Sequence, residues 1–340
     1  MKAAAFHRFG GPDVLEYVDL PTPEPIAGHV LIKVLAAGVN RLEHYLREGS
    51  VLPSIQMPHV LGSDASGEVA AVGAGVTGFK PGDRVVPMPG YTLDPSDRHT
   101  PLSAAPSYAI GGIVRWGTYA EYVQVPAKWV LHDDSGLEPH DVATLPMVLV
   151  TAVRSVKVVG QVAANQTVLV HAGASGTGTM NIQVARSLGA RVATTVQGDA
   201  QAKLARSLGA ELVIDVQQRD FVKDVIDWTG GSGVDTAIDN LGGDVLQKSI
   251  DATRVGGAIV IMGFMAGVEA RFHVRNFFFT HKRLLGTLMG DVADLRWGLA
   301  QVKAGRIRPL LDRVLPLSDA AEAHRLIASN AVNGNLVLKP

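Results

Sequence analysis

The most constraining stretch of the chain is 166–178, QTVLVHAGASGTG. Residues 167–170 are a short β-branched and aliphatic run and read as a buried strand. The chain then turns through Gly173, Gly176 and Gly178. Over 180–188 the apolar residues Ile182, Val184, Ala185 and Leu188 follow helical spacing until Gly189 stops them. Strand, glycine turn and helix in that order present free backbone N–H groups and the positive end of a helix dipole to an anion, and the glycines let it come close. An ordinary strand-to-helix loop can look the same, so the sequel decides. Further strands are predicted at 191–196, 211–214, 234–240, 258–262 and 284–289, alternating with helices at 200–208, 221–229 and 244–253. Six strands alternating with helices make an α/β fold with a doubly wound parallel sheet, and point to a dinucleotide-binding domain.

At 340 residues the chain suits two domains. A formal charge of −1 gives no electrostatic case for nucleic acid or an anionic membrane surface. No apolar run reaches the length of a membrane span, and the N-terminus has no signal-peptide apolar core. With no cysteine, the chain cannot form disulfides, thiolate zinc sites, iron–sulfur clusters or a cysteine nucleophile. A cytoplasmic protein is expected.

The first third reads as many short strands with Gly and Pro turns: 2–6, 15–19 ended by Pro21, Pro23 and Pro25, and 29–36, then a short helix over 42–47. A β-rich, partly barrel-like domain is predicted here, with the site expected in a cleft beside the nucleotide domain.

Several segments, in order, carry a resemblance: AAGVNRLEHYLREG at 36–49, PHVLGSDASGEVAAVGAGVTGFKPGDRV at 58–85, GTYAEYVQVP at 117–126, ATLPMVLVTA at 143–152, VLVHAGASGTG at 168–178 and ARSLGAELVID at 205–215. The chain resembles the medium-chain dehydrogenase/reductase superfamily, and within it the zinc-independent quinone oxidoreductase and alcohol dehydrogenase-like branch. That resemblance implies a GroES-like catalytic domain at 1–126 and 291–340 and a Rossmann domain at 127–290.

Zinc-using members of the superfamily carry a Cys after the Gly-Val pair and a His-Glu pair after the Leu-Gly motif. Here those places hold Asn40, Ser63 and Asp64, and the third ligand position falls near Leu149 or Val150. Neither Asn nor Ser is a usual zinc ligand and one Asp cannot build a three-ligand site, so no zinc is expected. His44, His59 and His140 share no metal spacing. The resemblance instead places Asn40 and Tyr45 in the active site. Either could hydrogen-bond a developing oxyanion, Asn40 through its amide and Tyr45 through its phenol, and His44 could serve as a proton donor. Tyr45 also reads as an ordinary half-buried aromatic, and Asn40 as a turn residue.

The stretch 89–116 shows no periodicity and occupies the place of the family's structural zinc lobe. It reads either as a substrate wall built from Tyr91, Tyr108, Ile110, Ile113 and Trp116, or as a lobe remnant packed on the surface.

The resemblance lays a nicotinamide cofactor along Gly173, Ala174, Ser175, Gly176, Thr177 and Gly178, with Thr151 near the nicotinamide, Asn240 on the adenosine side, and Gly263, Phe264 and Met289 along the cofactor; Asn335 stands where relatives carry Lys or Arg. NAD-preferring domains end the second strand on an acid. Here Val196 is followed by Gln197, Gly198 and Asp199, with Lys203 and Arg206 nearby, which favours NADP over NAD, although helix-surface cations are common. Three consecutive phenylalanines, Phe277 to Phe279, suggest a covered surface in a homodimer or internal packing.

The expected activity is zinc-independent hydride transfer from NAD(P)H to a quinone or an α,β-unsaturated carbonyl. A zinc-free alcohol or ketone dehydrogenase and a non-catalytic NADPH-binding sensor are the alternatives.

Overall fold

Alternating residues in the first third put one face of each strand into a shared core. The computed structural model describes every residue except Pro53, Asn330 and Ala331. The first segment carries β1 (Lys2–Phe6), β2 (Glu16–Asp19), β3 (His29–Val39), α1 (Arg41–Arg47), β4 (His59–Val60), β5 (Asp64–Val72), β6 (Arg84–Pro87), β7 (Gly90–Thr92), β8 (Tyr108–Ile110), β9 (Tyr122–Pro126), β10 (Val130–His132) and α2 (Pro139–Ala143), followed by α3 (Pro146–Ala152). The glycine-turn region forms β11 (Thr167–Val170), α4 (Gly176–Ser187), β12 (Arg191–Val196), α5 (Asp199–Ser207), β13 (Leu212–Asp215), α6 (Phe221–Trp228), β14 (Val234–Asp239), α7 (Val245–Asp251), β15 (Thr253–Ile261), α8 (Val274–Phe279) and β16 (Arg283–Gly286). The chain closes with α9 (Val292–Lys303), β17 (Leu311–Pro316), α10 (Ala320–Ala328) and β18 (Asn335–Lys339).

These elements divide into two units. The first is Met1–Met147, Asp291–Lys303 and Arg308–Pro340; the second is Val148–Gly290 and Ala304–Ile307. The boundary expected at residue 126 therefore differs. Residues 127–147 go with the first unit because β10 pairs with β6 and α2 packs on β3 and β5.

In the first unit the main sheet runs β10-β6-β5-β3-β18-β17, with β9 also on β3, and a smaller sheet runs β2-β1-β4. β3 is the spine. It extends three residues beyond the expected end, because 37–39 pair with 336–338 of β18, a partner no local pattern reveals. Phe6, Ile32, Leu46, Leu61 and Tyr119 are fully buried in the core it organises. Gly38 lies where a Cβ would sit 2.3 Å from the Ala143 carbonyl oxygen, so glycine there lets α2 reach the sheet. Within 89–116, where no periodicity is legible, β7 and β8 form a short antiparallel hairpin.

In the second unit all six strands are parallel, ordered β13-β12-β11-β14-β15-β16. Their apolar runs are buried from both faces, as a parallel sheet requires. α4 starts four residues before the helical pattern appears. Its first turn, Gly-Thr-Gly-Thr, has no apolar residue to read, and Ser175 caps it by accepting the Gly178 N–H at 3.1 Å. The Phe cluster lies in α8: Phe277 packs against the core, while Phe278 and Phe279 are 58% and 64% exposed. Among the described residues no helix is long and apolar enough to cross a membrane.

Candidate active site

The first unit places Asn40 at the junction of β3 and α1. The Asn40 N–H donates to Glu43 Oε2 at 2.8 Å, so Glu43 closes the first turn of α1. Leu61-Gly62-Ser63-Asp64 brings the second strand into the same place. Ser63 donates both its N–H and its hydroxyl to Glu43 Oε1, at 3.1 and 2.8 Å. Asp64 Oδ2 accepts from Asn40 Nδ2 at 3.0 Å, and Oδ1 accepts the Met147 N–H at 2.9 Å. The second Asn40 N–H faces Ser63 Oγ at 3.3 Å. All four side chains are buried. Burial disfavours the charged form and raises both carboxyls, Glu43 to about 7 and Asp64 to about 8, against the hydrogen bonds that pull them down. Glu43 and its bonds were not among the residues the sequence brought forward. An acid at the third helical position after Asn40 was the available signal.

The three positions that align with the family's zinc-site residues thus spend their donors and acceptors on one another, on Glu43 and on the Met147 N–H. Among the described residues no group of three or more His, Cys, Asp or Glu side chains is gathered as metal ligands would be. This donor set does not fit a zinc ion.

Tyr45 is half-buried on α1, its ring 5.5 Å from that of His44. His44, expected as a proton donor, lies beside Arg47 and Glu48 on the same helix. Its Nδ1 faces Arg47 Nη2 at 3.2 Å and its Nε2 faces Glu48 at 3.5 Å. Guanidinium is donor-only, so Nδ1 must accept and the ring is neutral; burial, the largest cause, also lowers its pKa. Arg47 is fully buried and also reaches the Gly10 carbonyl at 2.9 Å and His324 Nδ1 at 3.0 Å. His59, weighed above as a ligand, instead meets the Gly112 carbonyl at 2.8 Å.

The hairpin of 89–116 folds against Gly62 and Ser63 and leaves a cavity of about 20 Å³ lined by Ser63, Tyr91, Ile110 and Trp116. That volume suits a water rather than a substrate. Tyr108 and Ile113, expected in the same wall, do not line it.

The second unit gathers most of the expected cofactor residues at the carboxyl ends of its strands. A Cβ on Gly173 would lie 2.1 Å from Thr194 Oγ1, and one on Gly178 2.0 Å from the Ala172 carbonyl oxygen. Both positions therefore require glycine, and Ala174, Ser175, Gly176 and Thr177 lie on the turn between them. Gln197 follows β12, and its N–H is taken by Gln201 at 2.9 Å; Lys203 is exposed on α5. Thr151 is buried with its hydroxyl 3.8 Å from the Met289 sulfur. Gly263 lies where a Cβ would be 2.6 Å from the Asn240 carbonyl, and Phe264 is 52% exposed.

Asn240, directly after β14, is 4% exposed, and neither its amide nitrogen nor its amide oxygen has a partner. A buried amide left open on both sides is costly unless a ligand completes it. Asn335 is different: it lies in β18 of the first unit, and its N–H and side chain both turn to the Leu310 carbonyl, at 2.9 and 3.5 Å. Sequence reading missed one device here, the buried chain from Thr195 Oγ1 through His171 (3.1 Å) and Ser249 (2.9 Å) to Asp239 (2.7 Å), which ties together the ends of β11, β12 and β14.

A β-rich unit interrupted by a parallel six-stranded nucleotide-binding unit defines an oxidoreductase class. Residues 26–134 match the alcohol dehydrogenase GroES-like domain and 176–304 the zinc-binding dehydrogenase domain. A 2-haloacrylate reductase of a Burkholderia species is 32% identical, covering 99% of this chain and 98% of the relative, and a quinone oxidoreductase of Pseudomonas aeruginosa is 29% identical over 100% and 99%. Among solved structures, an NAD-dependent alcohol dehydrogenase is 36% identical with a TM-score of 0.94 over 100% of both chains. The quinone oxidoreductase from Coxiella burnetii is 31% identical with a TM-score of 0.83, covering 100% of this chain and 99% of that one. The chain belongs to the medium-chain dehydrogenase/reductase superfamily and is an oxidoreductase of that superfamily, similar to its quinone oxidoreductase-like branch.

Proposed function

We propose that this protein transfers hydride from NADPH to a quinone or an α,β-unsaturated carbonyl without a metal, with NADH as the alternative donor. The observation that carries the reading is the bonding of Asn40, Ser63 and Asp64 to one another and to Glu43, in a set of side chains that is not a zinc-type donor set. A conjugated acceptor spreads the incoming electrons and needs less Lewis-acid help. Relatives named 2-haloacrylate reductase and quinone oxidoreductase act on acceptors of that kind.

A bound nicotinamide supplies the hydride. In this reading the Gly173 to Gly178 turn and the capped start of α4 hold the pyrophosphate, Asn240 completes its amide on the adenosine portion, Thr151 stands near the nicotinamide, and Gly263, Phe264 and Met289 lie along the cofactor. The lack of an acid at the end of β12, with Lys203 and Arg206 on α5, supports NADPH. Tyr45 supplies an O–H donor to the acceptor's oxygen as charge builds on it, and Asn40 supplies an N–H donor by exchanging its 3.3 Å contact to Ser63 Oγ for that oxygen. The exposed Phe278 and Phe279 support a homodimer formed through this face.

The 36% identity to an NAD-dependent alcohol dehydrogenase supports a second reading, a metal-free alcohol or ketone dehydrogenase. One experiment separates them: NADPH and NADH oxidation by chelator-treated protein with a quinone, an enone and a saturated ketone. Quinone or enone turnover that survives chelation supports the first reading. Ketone turnover alone, lost on chelation and restored by zinc, overturns the metal-free reading altogether.

A further inference from the structure

The buried chain beside the glycine turn has a fixed direction. Asp239 collects three donors, and a carboxylate only accepts. The Ser249 hydroxyl therefore donates to Asp239 Oδ2 at 2.7 Å, in preference to the Val245 carbonyl at 3.2 Å. Ser249 Oγ must then accept on its other side, so His171 Nε2 carries the hydrogen that reaches it at 2.9 Å. The other ring nitrogen is bare. Nδ1 accepts the Thr195 hydroxyl at 3.1 Å, and Thr195 Oγ1 in turn accepts the Ala172 N–H at 3.1 Å. Burial lowers the pKa of the ring against the opposing pull of Asp239, which agrees with a neutral imidazole. The Phe221 ring packs edge-on to it, with centroids 4.9 Å apart. His171 thus pairs both of its nitrogens inside the protein and has none to offer a ligand.

Both ends of the chain are main-chain turns. At one end Ala172 has φ +49°, a left-handed conformation that a residue with a Cβ keeps only where its surroundings hold it. Thr195 holds its N–H, and the Thr195 carbonyl takes the next one, from Gly173, at 2.9 Å. The Ala172 carbonyl accepts the N–H and the hydroxyl of Ser175, at 2.9 and 2.8 Å, and Ser175 caps α4. At the other end Asp239 Oδ1 accepts the N–H groups of Leu241 and Gly242, both at 2.9 Å, and so bends the backbone around Asn240. The Leu241 carbonyl accepts the Ala266 N–H at 2.7 Å, which ties in the turn that follows β15.

We infer that His171 is a positioning residue for the nucleotide: it touches no ligand, and its neutral ring holds the Ala172 turn and the 240–242 loop in the shapes that present the start of α4 and the Asn240 amide. This rests on the cofactor role proposed for those two segments above. Breaking the chain should weaken nucleotide binding and leave the chemical step, measured at saturating nucleotide, nearly unchanged.

Thr195→Val breaks it with little change of volume. The Ala172 N–H and His171 Nδ1 lose their partner, and Ala172 loses what keeps it left-handed. The expected result is an NADPH Kd and KM raised about tenfold or more, with kcat on a quinone or enone within about threefold of wild type. Thr195→Ser keeps the hydroxyl and should stay within about threefold in all three. Ala172→Gly added to the Val variant should recover at least about threefold of the lost affinity, because glycine takes a positive φ without strain. An NADPH affinity of Thr195→Val within about threefold of wild type overturns the inference, as does a Ser variant weakened as much as the Val variant, or a loss that Ala172→Gly does not relieve. These results are read against wild-type protein that binds NADPH; a wild type that binds neither NADPH nor NADH removes the cofactor reading, and this inference with it. Ring-nitrogen NMR of the wild-type protein gives a readout that needs no variant to fold. His171 should be protonated on Nε2 and bare on Nδ1; a hydrogen on Nδ1 reverses the chain and overturns the inference.

Discussion

His324 should make the first unit acid-labile. It is fully buried between Arg47, which donates to Nδ1 at 3.0 Å, and Tyr119, whose hydroxyl lies 3.4 Å from Nε2. Because Arg47 only donates, the ring's one hydrogen belongs on Nε2 and points at Tyr119. A second proton would displace the Arg47 contact and place two cations together away from water. Burial first, then Arg47 and His44, lower the pKa from 6.5 to about 3. The folded pKa lies below the unfolded one, so the stabilisation is complete above about pH 6.5 and is lost as pH falls toward 3. The slope is about 1.4 kcal/mol per pH unit, so roughly 3 kcal/mol is gone by pH 4. With a urea dependence of about 1–3 kcal/mol per molar, the midpoint should drop by about 1 M or more. The control is His324→Gln, whose oxygen can accept from Arg47 and whose N–H can reach Tyr119 without titrating. Glu43 and Asp64 act in the opposite direction, since their raised pKa values favour the folded state as pH falls, but they are present in both proteins and cancel in the difference. Urea unfolding at pH 7, 6, 5 and 4, read by tryptophan fluorescence, gives the comparison. If wild type and His324→Gln lose stability in parallel, His324 is not the acid-sensitive group and the tautomer argument fails.

Other outcomes follow from the same contacts. Asn240→Leu removes a buried amide with no partner, so it should raise stability by about 1 kcal/mol while weakening NADPH binding about tenfold or more; calorimetry and a binding titration read both, and unchanged affinity would remove Asn240 from the cofactor site. Gly176→Val should abolish nucleotide binding while circular dichroism shows a folded protein, because a side chain would stand where the pyrophosphate approaches. Asp in place of both Phe278 and Phe279 should yield monomers in sedimentation velocity, if a second copy covers this face as proposed; an unchanged sedimentation coefficient would refute that.

Much of the second unit is legible in the sequence because a buried parallel strand announces itself by a short apolar run and its helix by 3.6-residue spacing. Thr167–Val170 and Arg191–Val196 are strands as read. The start of α1 falls within a residue of the expected position, whereas the end of β3 does not. What escapes is whatever depends on partners far along the chain. The hairpin Gly90–Thr92 with Tyr108–Ile110 joins segments separated by a turn with no regular pattern. Asn40 reads as an amide donor, but its hydrogens are claimed by Ser63 and Asp64, 23 and 24 residues away. Likewise the contact of His44 Nδ1 with Arg47 is invisible in the residue type alone. Residue type suggests what a side chain can do; the neighbours it folds against determine what remains of that capacity.

The pairing of β3 with β18 has a consequence for how the chain is made. The edge at 37–39, directly before Asn40, is completed by 336–338. A ribosome delivering about 5–20 residues per second takes roughly 15–60 s between the two. The second unit, nearly continuous in sequence, can finish folding in that interval. Meanwhile the nascent first unit exposes an unpaired strand edge that invites pairing with another chain. This is the segment where a holdase chaperone would bind during synthesis, and where slow translation of the C-terminal part would carry the greatest aggregation risk.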